Sequence, residues 1–261
     1  MTTGPRSSPL FGFKTRRRNR LRAQPFPAEW LAVLKRNVPY YERLPLAKQQ
    51  ELQDDIKVFV AEKNFEGCGG LEITDEIRVT VAAYACILLL NRRHDFYPRL
   101  QSILVYPDLY PAHAVRRGPG NTLVEGQEVR AGESWHTGAV VLSWSHVLHR
   151  PGDPAAHNVV LHEFAHQLDQ EDGTVNGAPL LPRSSMYAAW ARILGREYDA
   201  LRRDADAGRA TVLDKYGATA PEEFFAVATE CFFENPRQLR ERHPELYVEL
   251  REYYRQDPAP E

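Results

Sequence analysis

Cysteine is scarce in this chain: Cys68, Cys86 and Cys231 are its three in 261 residues. They are too few and too scattered for a disulfide framework or a thiolate zinc site. They fit a reducing cytoplasm, which is the expected location. Long apolar runs are also missing. The longest, residues 81–90, falls well short of the about 20 residues that cross a bilayer, and it reads as a buried element. The N-terminus has no apolar h-region, so no secretory signal is expected, and no internal repeat is visible. Residues 1–22 contain no acid at all, but hold Arg6, Lys14, Arg16, Arg17, Arg18, Arg20 and Arg22. That segment carries +7 against a whole-chain charge of −2, so the rest of the chain is −9. A whole-protein nucleic-acid binder, which needs a strongly basic face, is excluded by this balance. The remaining composition, 43% hydrophobic and 26% charged, is that of a globular chain long enough to bury a core, and it excludes wholesale disorder, collagen and coiled coil.

The basic segment, rich in Thr, Ser, Pro and Gly, lacks the apolar residues to fold alone. Residues 1–24 are therefore expected to be a disordered, solvated tail, and residues 25–261 one domain. RNA, an anionic membrane or an acidic partner are sharper uses for such a tail, with nucleic-acid contact weak at most. Helical spacing begins at Trp30, Leu31, Val33 and Leu34, and recurs over residues 46–61. Residues 66–70 read as a break. Thr74 is placed to cap a helix reaching residue 90, with Asp75 and Glu76 suiting its dipole. Residues 103–107 and 139–144 are β-prone, and the second run could lie at a cleft edge and pair with an extended peptide. Helices are expected over residues 155–170, 184–207 and 222–234, with Met186, Trp190, Ile193 and Leu194 in the core.

One motif stands above the rest: His162-Glu163-Phe164-Ala165-His166. Residues four apart on a helix lie one turn above another, so both imidazoles can reach one zinc ion. Glu163, on the same turn, can take a proton from zinc-activated water without binding the metal. In this composition the pattern arises by chance roughly 0.03 times per chain. Its flanks, Val159-Val160-Leu161 and Phe164-Ala165, bury the helix on most sides, and buried His and Glu need partners. A catalytic zinc also needs a third protein ligand and an open position. Asp169 and Asp172 compete for that place with Glu222, Glu223 and Glu230 of the downstream helix, where Glu223 and Glu230 lie about two turns apart on one face. Spacing alone leaves the choice open. His136, His146, His149 and His157 read as surface histidines rather than ligands.

The stretch His162 to Asp169, preceded by Asn158, resembles the zinc helix of the Mlc titration factor A family, the M90 metallopeptidases. Residues 140–144, 103–107 and 216–233 resemble further segments of that family in the same order. The similarity runs over about residues 25–258. It implies an α+β fold: a zincin-like metallopeptidase core of gluzincin type, akin to that of anthrax lethal factor, with a helical N-terminal part and a small mixed sheet beside the HExxH helix. It implies one zinc per chain held by His162, His166 and Glu223, with Glu163 as general base and Tyr216 as an electrophilic helper. It further implies a cytoplasmic zinc peptidase, aminopeptidase-like, linked to regulation of a transcriptional repressor through an Mlc-like partner. The rival reading is a zinc-stabilised regulatory binding protein with vestigial hydrolysis. The retained Glu163 speaks against it, because a structural zinc has no use for a base.

Overall fold

The structure, a computed structural model, describes residues 9–117, 123–130, 132–135, 138–148 and 157–259. The described residues are mostly helical, with a small four-stranded sheet and a two-stranded ribbon, an α+β arrangement. Its first part is helical: α1 (Pro9–Arg22), α2 (Ala28–Asn37), α3 (Pro39–Arg43) and α4 (Leu46–Glu62) precede the first strand, β1 (Asn64–Gly67). The apolar run then forms α5 (Asp75–Ile87), capped by Thr74, whose Oγ1 accepts from the Ile77 N–H at 3.4 Å. From Ile77 to Leu90 nearly every side chain of this stretch is buried, so α5 is the central post of the core.

Strands β2 (Ser102–Tyr106), β3 (Tyr110–Arg117), β4 (Leu123–Arg130), β5 (Gly132–Trp135) and β6 (Ala139–Ser143) follow. The sheet has the order β1-β2-β6-β5, parallel across β1, β2 and β6, with β5 antiparallel to β6 at the edge. β3 and β4 form a separate antiparallel ribbon. Ile103 and Val105 of β2 and Val140 and Leu142 of β6 face the main core. Leu104, Tyr106 and Val141 alternate to the other face, under Tyr110. Two expectations change here. Residues 64–67, read partly as a break, pair with β2. The strand over residues 139–144 is interior rather than at a cleft edge, because β5 covers its outer side.

Short α6 (Trp144–Val147) leads toward α7 (Val159–Asp169), which carries the His-Glu motif. A 3-10 turn (Gln170–Asp172), a loop and a second such turn (Ser184–Met186) lead to α8 (Tyr187–Asp206). A third turn (Lys215–Ala218) precedes α9 (Pro221–Glu234), and α10 (Pro236–Arg242) and α11 (Pro244–Tyr254) close the chain. Met186, Trp190, Ile193 and Leu194 are buried as the apolar pattern requires. No helix among the described residues is long and apolar enough to cross a membrane.

The basic N-terminus departs from expectation. Within it, α1 is a helix that docks on α4. Arg18 donates to both Glu62 oxygens at 2.8 and 2.7 Å and lies 2.6 Å from Asp95. Arg22 meets Asp55 at 3.0 Å, Lys14 meets Asp95 at 2.8 Å, and Arg17 donates to the Ala61 carbonyl at 2.9 Å. Arg18 also sits 4.6 Å above the Phe96 ring. The arginines are thus matched by acids distant in sequence, and a segment unable to fold by itself acquires structure from that surface. The disordered tail expected over residues 1–24 is corrected for α1.

Candidate metal centre

Two helices build the site, and both ends of their pairing are tied. At one end Asn158 caps α7, its Oδ1 accepting from the Leu161 N–H at 3.1 Å. Its Nδ2 donates to Glu234, at the far end of α9, at 2.7 Å. At the other end, Asp169 Oδ2 accepts the backbone N–H groups of Asn176 and Gly177, both at 2.9 Å. Gly177 has φ +75, and a Cβ there would lie 2.5 Å from the Pro221 carbonyl at the start of α9. α7 and α9 therefore run antiparallel, with the first turn of α9 beside the last turn of α7. The back of α7 is fixed by Phe164, whose ring packs against Tyr97 at 4.9 Å and Phe59 at 5.8 Å.

On the open side, three donor atoms converge. His162 Nε2 lies 3.0 Å from Glu223 Oε2 and 3.2 Å from His166 Nε2, and His166 Nε2 lies 3.3 Å from the same Glu223 oxygen. In a tetrahedral zinc site with bonds of about 2.0–2.1 Å, neighbouring ligand atoms stand about 3.3–3.4 Å apart. The triangle is close to that size. Its chemistry points the same way. His162 Nδ1–H donates to Glu230 Oε1 at 2.6 Å, which leaves the Nε2 lone pair aimed at the triangle. Two imidazole nitrogens and a carboxylate oxygen held about 3 Å apart must share a proton or a cation between them, and the donor set fits a metal ion.

The electrostatics follow. Burial opposes charge on His162, but Glu223 and Glu230 on either side outweigh it and push its pKa up. Burial would raise Glu223; the two imidazoles overcome this and hold its carboxyl well below the usual range. Glu163 is 5% exposed, and burial pushes its pKa up to about 7 against the pull of His162 and His166. Its Oε1 lies against β5: a Cβ at Gly132 would come within 2.5 Å of that oxygen. The edge strand can approach this closely only because residue 132 is glycine.

Tyr216 sits on the Lys215–Ala218 turn, 54% exposed, with its ring centroid 6.0 Å from that of His162. The competing ligand Asp172 is engaged locally, accepting from the Thr174 N–H and Oγ1 at 2.8 and 2.7 Å. Asp169, also weighed as a third ligand, lies outside the triangle. Asp169 braces the loop to α9, and Glu230 is the carboxylate on His162 Nδ1. Sequence spacing had put Glu230 on the face of Glu223 without giving it that task. His146 and His157 lie outside the triangle; His136 and His149 are outside the described residues. Gly132 was not foreseen, and a lone glycine beginning a strand was the available sign.

His157 is exposed at the surface but not idle. Its Nε2 lies 3.2 Å from Asp214 and its Nδ1 3.6 Å from Glu230. Asp214 first, then Glu230, push its pKa up to about 10 against the effect of burial.

The chain resembles known proteins over nearly its whole length. It is 42% identical over 246 residues to an uncharacterized protein of Synechocystis sp., covering 93% of this chain and 89% of that one. It is 30% identical over 232 residues to Mlc titration factor A of Pectobacterium atrosepticum, covering 88% and 86% of the two chains. To Mlc titration factor A of Klebsiella pneumoniae it is 29% identical over 224 residues, 85% and 84% of the two. The model of the family described as glucose-regulated metallo-peptidase M90 matches residues 13–255, from within α1 to the end of α11. With that match and the converging His, His and Glu donors, this chain belongs to the M90 family of metallopeptidases.

Proposed function

We propose that this chain is a zinc peptidase of gluzincin type, with a zincin-like core, hydrolysing peptide bonds in the cytoplasm. The observation that carries the reading is the triangle of His162 Nε2, His166 Nε2 and Glu223 Oε2, sized for one zinc. When bound, zinc supplies Lewis-acid polarisation of a carbonyl and lowers the pKa of water. The chain's own groups do the rest. Glu163, buried and poised near neutrality, takes the proton of the attacking water and delivers it to the leaving amine. Tyr216, whose ring centroid lies 6.0 Å from that of His162, is assigned the hydroxyl that donates to the oxyanion. Edge strand β5, lying against Glu163, offers backbone groups to an extended substrate, in place of β6.

The activity is proposed to be aminopeptidase-like. A peptide library with free and blocked N-termini, read by mass spectrometry with and without a chelator, tests this. Chelator-sensitive cleavage confined to free N-termini is expected; cleavage of blocked peptides at internal bonds would make it an endopeptidase. A regulatory role is a second reading, supported by the names of the two Mlc titration factor relatives. In it the chain binds an Mlc-like repressor, and zinc serves stability rather than turnover. A buried general base beside the triangle favours hydrolysis over this alternative. Titrating purified chain against such a repressor, with Glu163→Gln alongside, separates binding from cleavage.

A further inference from the structure

We propose that His157 is a positioning residue that locks two parts of the centre together: Glu230, which holds His162, and Asp214, which holds the turn bearing Tyr216. The inference rests on the metal-centre reading above. The contacts form a line, hydrogen-bonded at its two ends and joined through His157 by ion-pair distances. Glu223 touches His162 Nε2 at 3.0 Å, and His162 Nδ1–H donates to Glu230 Oε1 at 2.6 Å. The other Glu230 oxygen faces His157 Nδ1 at 3.6 Å. His157 Nε2 faces Asp214 Oδ2 at 3.2 Å. Asp214 Oδ1 accepts the Tyr216 N–H at 2.6 Å, capping its turn. The line leaves the triangle through Nδ1 of His162 and returns toward it at Tyr216, whose ring centroid lies 6.0 Å from that of the same imidazole, tilted by 43°.

Each link has a consequence. Glu230 has two oxygens. One is set on His162, and the second needs a donor if the carboxylate is to keep its rotation. His157 meets it from outside α9. Asp214 likewise uses one oxygen for the Tyr216 N–H and turns the other to His157. The rigid, flat imidazole fixes the spacing of the two carboxylates, which a flexible lysine would not do. The turn itself rests on α9 and α8: a Cβ at Gly217 would lie 3.2 Å from Val227, 3.3 Å from Leu201 and 3.4 Å from Phe224. That packing sets its height above the site, and His157 sets its lateral position toward His162. An exposed ion pair contributes little to stability by itself, so the consequence should appear in the centre rather than in the fold.

The test is zinc affinity of the full chain by competition with a chromophoric chelator, with peptide kcat and KM measured in parallel. The variants are His157→Ala and Asp214→Asn. A control, His243→Ala, removes a similar pair in which His243 Nδ1 meets Glu197 at 2.8 Å, outside the line of contacts. His157→Ala should weaken zinc binding about threefold, less than the about tenfold that is the low end for losing a direct outer partner of a metal ligand, because Glu230 stands between His157 and His162. It should lower kcat more than KM, while His243→Ala leaves zinc affinity as in the native chain. Asp214→Asn keeps an oxygen for the Tyr216 cap but loses its charge, so it should lower kcat with a smaller change in zinc affinity. Native zinc affinity and kcat in both His157→Ala and Asp214→Asn would overturn the clamp while leaving the metal centre standing. A native chain that binds no zinc would overturn both.

Discussion

At the scale of single residues, the division of labour between Glu163, Glu223 and Glu230 is the sharpest claim. Glu163→Gln should retain zinc and lose hydrolysis by at least about 10²-fold, since an amide cannot accept the proton. Metal analysis beside peptide turnover checks it; loss of zinc would make Glu163 a ligand. Glu230→Gln keeps the shape but not the charge facing His162 Nδ1–H, so zinc affinity should fall about 10-fold in chelator competition. Unchanged affinity would leave His162 oriented by something else. Gly132→Ala drives a Cβ into Glu163 and Val159 across β5, so turnover should fall while zinc content holds. His162, His166 and Glu163 were legible because helix geometry alone puts them on one patch. Glu223 and Glu230 shared a face for the same reason, but their tasks depend on which end of α9 meets which end of α7. That is a tertiary fact set by Asn158, Asp169 and Gly177. His157 and Gly132 act through partners distant in sequence, so local pattern could not assign them.

At the scale of elements, α7 is held between its site face and its packed back. Phe164→Ala removes the ring locked against Phe59 and Tyr97 and should cost about 3–5 kcal/mol in chemical denaturation. A loss below about 1 kcal/mol would mean that α7 is anchored elsewhere. α4, α8 and α9 fall within a few residues of where the sequence placed them, while α5 starts at its Thr74 cap but ends at Ile87, short of the residue 90 expected. β1 escaped notice because Asn64-Phe65-Glu66-Gly67 has one buried-leaning side chain and takes its order from pairing with β2. α1 escaped because its acids lie on α4 and beside Phe96. Its ion pairs give a pH signature. Burial opposes charge on Glu62 and Asp95, but Arg18 and Lys14 outweigh it and hold both pKa values below those of the unfolded chain. Their contribution is therefore full above about pH 4–5 and is lost as the pH falls through the depressed values. α1 should lose hydrogen-exchange protection on acidification before α7 does. Equal protection of α1 at pH 7 and pH 3 would contradict its docking by charge.

At the scale of the whole molecule, a helical N-terminal part and a small sheet serve as the frame on which two antiparallel helices present three donors. Deleting residues 1–22 strips cover from Asp55 and Glu62 on α4, the helix that backs α7 through Phe59 against Phe164, on the side away from the three donors. Thermal stability should drop while zinc content stays near that of the full chain; loss of zinc would make α1 part of the centre's support. Everything proposed for the chemistry depends on the ligand set, so the most direct measurement is metal content by mass spectrometry of the purified chain and three variants. The native chain should carry about one zinc, His166→Ala and Glu223→Gln should lose most of it, and Asp172→Asn should keep it. Full zinc in Glu223→Gln together with its loss in Asp172→Asn would contradict the triangle and move the third ligand to the loop after α7.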